Sequence, residues 1–187
     1  MRSDPNRILD QYLVCAARVG DGDAWRRLVS RWQPKLLAHA WRLLGNSDRA
    51  RDAVQDAWVD IWRGLSHLED AAAFPAWAYK IVTRRSQRSF QGADRERQWV
   101  TEDQADLLMS ERGSGEHAAD LAMVMEAVRS LPAPQRSALA LFYLEDMSVA
   151  EVAVALDVPP GTVKTRLMHA RNKLRVKLEG VGDEQNG

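Results

Sequence analysis

Apolar side chains recur at spacings of three and four residues along most of this 187-residue chain. That period is typical of amphipathic helices, and no convincing run shows the two-residue alternation of a half-buried strand. With 45% apolar and 28% charged residues, the chain can bury a core. The sequence therefore predicts an all-α protein.

Four helices are predicted before residue 91. The first covers about 7–19, and the residues expected to face inward are Ile8, Leu9, Tyr12, Leu13 and Ala16. The second covers about 23–44 with a kink or break at Pro34, the third begins at the N-cap Ser47, and the fourth follows Pro75. The single cysteine, Cys15, has no partner for a disulfide or a zinc site, and we expect it to pack in the core.

Between residues 91 and 119 the helical period fades and glycines and acidic residues accumulate, which is typical of a mobile linker. Helices are predicted again near 120–130, 134–143, 148–156 and 161–178. The sequence thus predicts two small helical domains, 1–90 and 120–180, joined by a flexible acidic linker over 91–119 and followed by a tail over 181–187.

The formal net charge is zero, but the charges are segregated along the chain. Residues 162–178 contain six cationic side chains and no acid, whereas residues 101–120 contain six acids and one cation, Arg112. Charge laid out in such blocks indicates separate binding surfaces.

The basic block follows a helix-turn-helix pattern. Ser148 and Glu151 form a capping box, a short turn covers 156–161, and Thr162 opens the final helix. In such a unit the N-terminal turns of the second helix read base edges in the major groove, and the residues placed to do so are Lys164, Thr165, Arg166 and His169. Residues placed further along for phosphates are Arg171, Lys173 and Arg175. A helix with a solvated cationic face is the alternative interpretation.

Two stretches of the sequence resemble the extracytoplasmic-function sigma factors of the sigma-70 family. LPAPQRSALALFYLEDMSVAEVAVALDVPPGTVKTRLMHARNKLR, residues 131–175, is similar to the domain that reads the promoter minus-35 element. This resemblance implies minus-35 contacts by Thr162, Lys164, Thr165, Arg166, His169 and Arg171. ARDAVQDAWVDIW, residues 50–62, resembles the helix that grips core RNA polymerase, and the residues at the family's contact positions are Asp52, Gln55 and Asp56.

A third stretch, FPAWAYKIVTRR at residues 74–85, is similar to the family segment that captures the single-stranded minus-10 element. The cations expected to contact DNA there are Lys80, Arg84, Arg85 and Arg88. Arg84 and Arg88 stand where the family often has Asn and Asp, which leaves the captured base open. The resemblance implies that the acidic linker is a nucleic-acid mimic, and a plain solvated tether explains its acids equally well.

The sequence contains no catalytic motif, metal-ligand spacing or phosphate-binding loop, so we expect a non-enzymatic protein without cofactor or metal. It also lacks a signal peptide and a membrane span, which predicts a cytoplasmic protein. The resemblance implies three partners: core RNA polymerase, promoter DNA and an anti-sigma factor. An operator-binding repressor and a decoy that sequesters an anti-sigma factor are the alternatives.

Overall fold

A computed structural model of the chain describes residues 5–93 and 116–182. Within those ranges every regular element is a helix, which confirms the all-α class. The α-helices are α1 (Pro5–Arg18), α2 (Gly22–Leu44), α3 (Ser47–Gly64), α4 (Phe74–Ala93), α5 (Glu116–Arg129), α6 (Ala133–Tyr143), α7 (Val149–Leu156) and α8 (Pro160–Gly182). Two short 3-10 helices, Leu65–His67 and Ala71–Ala73, connect α3 to α4.

The chain divides into two compact units, one built on α1 to α4 and one on α5, α6 and α8. Most of the predicted acidic linker, residues 94–115, lies outside the described residues, as do residues 183–187 of the predicted tail. The domain boundaries drawn from the sequence therefore stay predictions. The first helix of the second domain begins earlier than expected, since α5 starts at Glu116 rather than near residue 120.

In the first unit, α2 packs against α1, α3 and α4, and α3 packs against α4. Three buried aromatic side chains join α2 to α4: the Trp32 ring meets Phe74 and Tyr79 edge-on, with centroids 5.2 and 5.7 Å apart. Such pairs add about 1 kcal/mol each to the free energy of unfolding beyond the area they bury. The helix that carries the predicted minus-10 cations is thereby anchored to the core.

A buried histidine lies in the same core. His39 is fully inaccessible, and its Nε2 is 2.9 Å from the hydroxyl of Thr83 on α4. Burial, together with the nearby charge of Arg42, lowers the pKa of His39 from 6.5 to about 3. The imidazole is therefore neutral in the folded protein at physiological pH.

The ends of α2 and the start of α3 follow from local chemistry. Asp21 caps α2 by accepting hydrogen bonds from the backbone N–H groups of residues 23 and 24. At the other end, α2 is followed by its C-cap Gly45, whose φ of 64° suits glycine. Of the two outcomes expected at Pro34, the break is wrong, because α2 runs through that residue, and the kink stays a prediction. The N-cap of α3 is Asn46 rather than Ser47, since the Asn46 side chain accepts the N–H of Arg49 at 2.9 Å.

Helix α1 is rotated relative to the sequence prediction. Ile8 and Tyr12, expected inside, are 54% and 61% exposed, and Cys15, expected in the core, is also exposed. The side chains buried on α1 are Asp10, Leu13, Val14 and Ala17. The prediction failed because α1 carries apolar residues on two faces, and its period alone does not select the buried one. An ion pair with Arg31, at 2.9 Å, allows Asp10 to be the buried acid.

In the second unit, α8 packs against α5 and α6. The predicted capping box is present: the Glu151 carboxylate accepts the N–H of Ser148 at 2.7 Å, and the Ser148 hydroxyl accepts the N–H of Glu151 at 3.2 Å. In the turn after α7, Asp157 adopts a left-handed φ of 54°, which aspartate tolerates better than most residues. α8 then begins at Pro160, within two residues of the start predicted at 161–162.

Candidate functional sites

The first candidate surface is the exposed face of α3. Asp52, Gln55 and Asp56 are all exposed there, and the opposite face is buried through Ala50, Ala53, Val54, Ala57 and Ile61. Spacings of three and four residues place the three polar side chains on neighbouring ridges of one helix face. The structure thus brings together the three residues predicted to contact polymerase.

Two large apolar side chains continue this face toward the end of α3. Val59 and Trp62 are 45% and 54% exposed, and the Trp62 ring lies against Trp25 on α2 with centroids 4.7 Å apart. Trp25 also meets Trp58 edge-on at 5.5 Å, and the indole of Trp58 donates a hydrogen bond to the side chain of Gln33. The polar stripe of α3 therefore leads into an aromatic patch fixed by α2.

The four cations predicted for the minus-10 element lie on α4. Arg84 and Arg88 are exposed, whereas Lys80 and Arg85 are half-buried. Arg85 reaches α3, where its guanidinium lies 2.6 Å from Asp60 Oδ2 and 3.4 Å from Asp56 Oδ2. A hydrogen bond from Arg85 to Asp60, with the negative charges of Asp60 and Asp56, raises the pKa of Arg85. The structure thus joins a predicted DNA contact to a predicted polymerase contact.

The predicted minus-35 residues occupy the first half of α8. Val163, Leu167 and Ala170 are buried, and the exposed predicted residues are Lys164, Thr165, His169 and Arg171. Thr162 and Arg166 are half-buried, and this burial lowers the pKa of Arg166. The Thr165 hydroxyl donates to the carbonyl of Gly161 at 3.0 Å, so one of the six predicted contacts already has a backbone partner.

Arg171 has a partner that the sequence did not suggest. Its Nε donates a hydrogen bond to the hydroxyl of Tyr143, the last residue of α6, at 2.9 Å. The guanidinium carbon also lies 5.7 Å from the centre of the tyrosine ring. No motif or period predicts a pair separated by 28 positions, and Asp60 as the partner of Arg85 was missed for the same reason.

No helix among the described residues is both long and apolar enough to cross a bilayer. Family models match the chain in two places. The model of sigma-70 region 2 matches residues 28–96, and the model of sigma-70 region 4 matches residues 121–174. The chain belongs to the sigma-70 family.

Similar curated proteins place this sigma factor in the extracytoplasmic-function group. The sigma-E factor of Haemophilus influenzae is 26% identical over 92% of this chain and 97% of its own length. The sigma-H factor of Pseudomonas aeruginosa is 28% identical over 91% and 94%. The sigma-E factor of Escherichia coli K12 is 27% identical over 92% and 96%.

Solved structures give the same result. CnrH, solved in complex with the cytosolic domain of CnrY, aligns with a TM-score of 0.59 at 26% identity and covers 92% of this chain and 98% of its own. RpoE of Bartonella quintana, solved with the anti-sigma factor NepR, aligns with a TM-score of 0.62 at 25% identity over 83% and 96%. In this sigma factor the α3 and α4 candidates fall within the region 2 match and the α8 candidates within the region 4 match.

Proposed function

We propose that this sigma factor docks on core RNA polymerase through α3 and directs promoter-specific initiation through α4 and α8. The observation that carries the proposal is the placement of opposite charge: an exposed acidic face lies within the region 2 match, and an exposed basic helix lies within the region 4 match. In this mechanism the chain contributes binding energy and makes or breaks no bond. It therefore acts as a non-catalytic specificity subunit and needs no cofactor. We propose the cytoplasm as its location.

Asp52, Gln55 and Asp56 supply the polymerase contact. Two carboxylates and an amide on neighbouring ridges can accept hydrogen bonds from an Arg-rich partner helix, and charge-assisted bonds of this kind are about twice as strong as neutral ones. Beside them, Val59 and Trp62 offer apolar area that a partner would bury. Such a mixture of an aromatic anchor and charged residues is typical of energetically important interface positions.

The promoter contacts divide between two helices. Lys164, Arg166 and His169 at the start of α8 read minus-35 base pairs, with Thr162 and Thr165 beside them and Arg171 on the phosphates. On α4, Lys80, Arg84 and Arg88 hold the backbone of the opened minus-10 strand, and Arg85 combines that role with its ion pairs to α3. Each weak contact gains from the others through effective concentration once the chain is on polymerase.

Control by a separate anti-sigma protein, acting on a stress- or signal-responsive regulon, completes the proposal. It is supported by RpoE of Bartonella quintana, which was solved in complex with the anti-sigma factor NepR and aligns with 83% of this chain. An anti-sigma protein bound to the polymerase-docking face would keep the factor inactive by simple competition.

The deciding experiment compares the wild type with an Asp52→Arg, Asp56→Arg double variant for binding to sigma-free core RNA polymerase. We expect a loss of affinity of at least about a hundredfold, because removing a charge-assisted contact at an interface costs about 2–5 kcal/mol and the variant also introduces repulsion. Transcription from fragmented genomic DNA is then scored with each holoenzyme. New transcripts with the wild type, and none with the variant, support the proposal.

The matched control is an Asp23→Arg, Glu69→Arg variant, which makes the same charge change at exposed positions of the same unit outside the α3 face. It should bind core as the wild type does. If wild-type protein ignores core but shifts a DNA fragment alone, the repressor alternative replaces the proposal. If it does neither, the decoy alternative does.

A further inference from the structure

Two helices of the second unit meet at an exposed tyrosine. Tyr143, at the end of α6, is 53% exposed, and Arg171 in the middle of α8 is also exposed. The 2.9 Å hydrogen bond from Arg171 Nε and the 5.7 Å approach of the guanidinium carbon to the ring centre fix the two side chains against each other. Both contacts are made at the surface, so they do not serve to fill the core.

The hydrogen-bond donors that remain on this pair indicate what it can bind. The phenol oxygen of Tyr143 accepts the Nε–H of Arg171, and its own O–H has no acceptor among the described residues. A guanidinium has five N–H groups, so four remain on the two Nη atoms after this bond. The pair therefore presents a fork of N–H groups and an O–H group to one external acceptor, and an anion with several oxygens fits this donor set best.

The position of the pair on α8 identifies the anion. Lys164, Met168, Arg171 and Arg175 are all exposed and follow one another at spacings of four, three and four residues, so they share one face of the helix. Lys164 belongs to the N-terminal turns that are placed to read base edges. An anion bound seven residues further along the same face is a phosphate of the DNA backbone beside that base-pair contact.

We propose that Tyr143 and Arg171 form a two-helix clamp, the Tyr143–Arg171 clamp, for one backbone phosphate of the minus-35 duplex. The inference rests on the proposed function, and it adds Tyr143 on α6 to contacts otherwise confined to α8. Tyr143 acts twice: it holds the guanidinium in place before DNA arrives, and it donates its own O–H to the same phosphate. Pre-positioning reduces the side-chain entropy that Arg171 loses on binding.

The test uses holoenzyme assembled from core polymerase and the full chain. The probe is a duplex that spans the minus-35 region of the strongest promoter transcribed by the wild-type holoenzyme from genomic DNA, together with a set of duplexes in which single phosphates are replaced by neutral methylphosphonates. Tyr143→Phe removes only the hydroxyl, and Arg171→Gln removes the charge. Tyr12→Phe, at a comparably exposed tyrosine of the first unit, is the matched control.

We expect Tyr143→Phe to weaken duplex binding about fivefold and Arg171→Gln about tenfold or more, because each removes hydrogen bonds to the same phosphate. The double variant should bind more tightly than the product of the two losses predicts, because part of the effect of Tyr143 acts through Arg171. In the wild type, one methylphosphonate position should weaken binding sharply. Both single variants should be less sensitive to a methylphosphonate at that same position, an effect that a purely structural role for Tyr143 would not produce. Tyr12→Phe should match the wild type throughout.

The clamp is overturned if Tyr143→Phe binds as tightly as the wild type, if the two losses multiply, or if the variants lose sensitivity to different phosphates. Arg171→Lys guards against a folding artefact, since it keeps the charge but not the fork and should keep only part of that phosphate sensitivity. If the wild-type chain forms no holoenzyme, the proposed function itself fails and the clamp fails with it. If the wild type binds core and promoter and Tyr143→Phe does so equally well, the clamp is wrong and the proposed function stands.

Discussion

The charged surfaces of α3 and α8 are held in different ways. On α3, Asp56 and Asp60 lie within 3.4 and 2.6 Å of Arg85, a cation supplied by the neighbouring helix α4. On α8, Lys164, Arg166 and Arg175 have no carboxylate partner among the described residues. Paired charges fix the geometry of the first unit, whereas clustered cations without acids repel one another and are best neutralised by an external polyanion. The α3 carboxylates that pair with Arg85 therefore have a structural role, which Asp56 combines with its proposed polymerase contact, whereas these α8 cations have no such structural partner in the described part of the chain.

Two histidines extend the comparison. His39 is fully buried in the first unit beside Thr83 and Tyr79, and its ring centre lies 5.0 Å from that of Tyr79. His169 is exposed on α8. A buried neutral imidazole links the stability of the first unit to pH, while an exposed one remains available to a ligand.

Of the predictions that test this comparison, the largest effect is expected for DNA binding by the α8 cations that have no carboxylate partner within the described ranges. Arg166→Ala should weaken binding of holoenzyme to its minus-35 duplex by at least about tenfold, because a bidentate arginine contact to guanine contributes about 1–3 kcal/mol of discrimination. The measurement is fluorescence anisotropy with the minus-35 duplex and with a scrambled duplex of equal length.

Lys177→Ala is the control, since Lys177 lies near the far end of α8, 4.0 Å from Glu126. An equal loss by Arg166→Ala on both duplexes would show that Arg166 contacts phosphate rather than a base. In that case the α8 cations would still bind DNA through charge, but Arg166 would not read the base sequence.

The second prediction concerns pH. The pKa of His39 is about 3 in the folded protein and about 6.5 in the unfolded chain, so the unfolded chain binds more protons below pH 6.5. The free energy of unfolding should therefore fall as the pH drops from 6.5 toward 3, by about 1.5 kcal/mol between pH 6.5 and 5. Urea denaturation followed by tryptophan fluorescence measures it, because tryptophans 25 to 77 report on the first unit.

His39→Gln should remove this pH dependence between pH 6.5 and 5, whatever its effect on absolute stability. His169→Gln is the matched control and should keep the wild-type dependence, because His169 is exposed on α8 and lies outside the buried core that holds His39. If the free energy of unfolding of His39→Gln still falls with pH as in the wild type, other groups cause the pH dependence. The two histidines would then not differ in their effect on stability.

The smallest effect is expected for the ion pair between Arg85 and Asp60, and it is an effect on the free energy of unfolding. Arg85→Gln and Asp60→Asn should each lower the free energy of unfolding of the first unit, and a double-mutant cycle should give a coupling of about 0.5–1 kcal/mol. Partial exposure of both side chains, 27% and 34%, keeps the coupling near the surface value. If the two effects on the free energy of unfolding simply add, Asp60 does not stabilise the position of Arg85. Arg85 would then resemble the α8 cations, which have no carboxylate partner among the described residues.

Much of the fold followed from local pattern. Helical spacing predicted the α-helices of the described residues but not the two short 3-10 helices between α3 and α4. The capping box at Ser148 and Glu151 predicted the start of α7 within one residue. The exposure of Asp52, Gln55 and Asp56 also agrees with the face expected for them. These features depend on residues within about four positions of each other, and the sequence order expresses such relations directly.

Tertiary packing decided the rest. It chose which of two apolar faces of α1 is buried, leaving Ile8, Tyr12 and Cys15 exposed. It also brought together residues 25 and 28 positions apart, Asp60 with Arg85 and Tyr143 with Arg171. The sequence alone determined the periods, the caps and the distribution of charge, because these depend on short-range chemistry. The partner of each charge was determined only by how the helices pack, because long-range contacts depend on the orientation of whole helices rather than on the residues beside them in the chain.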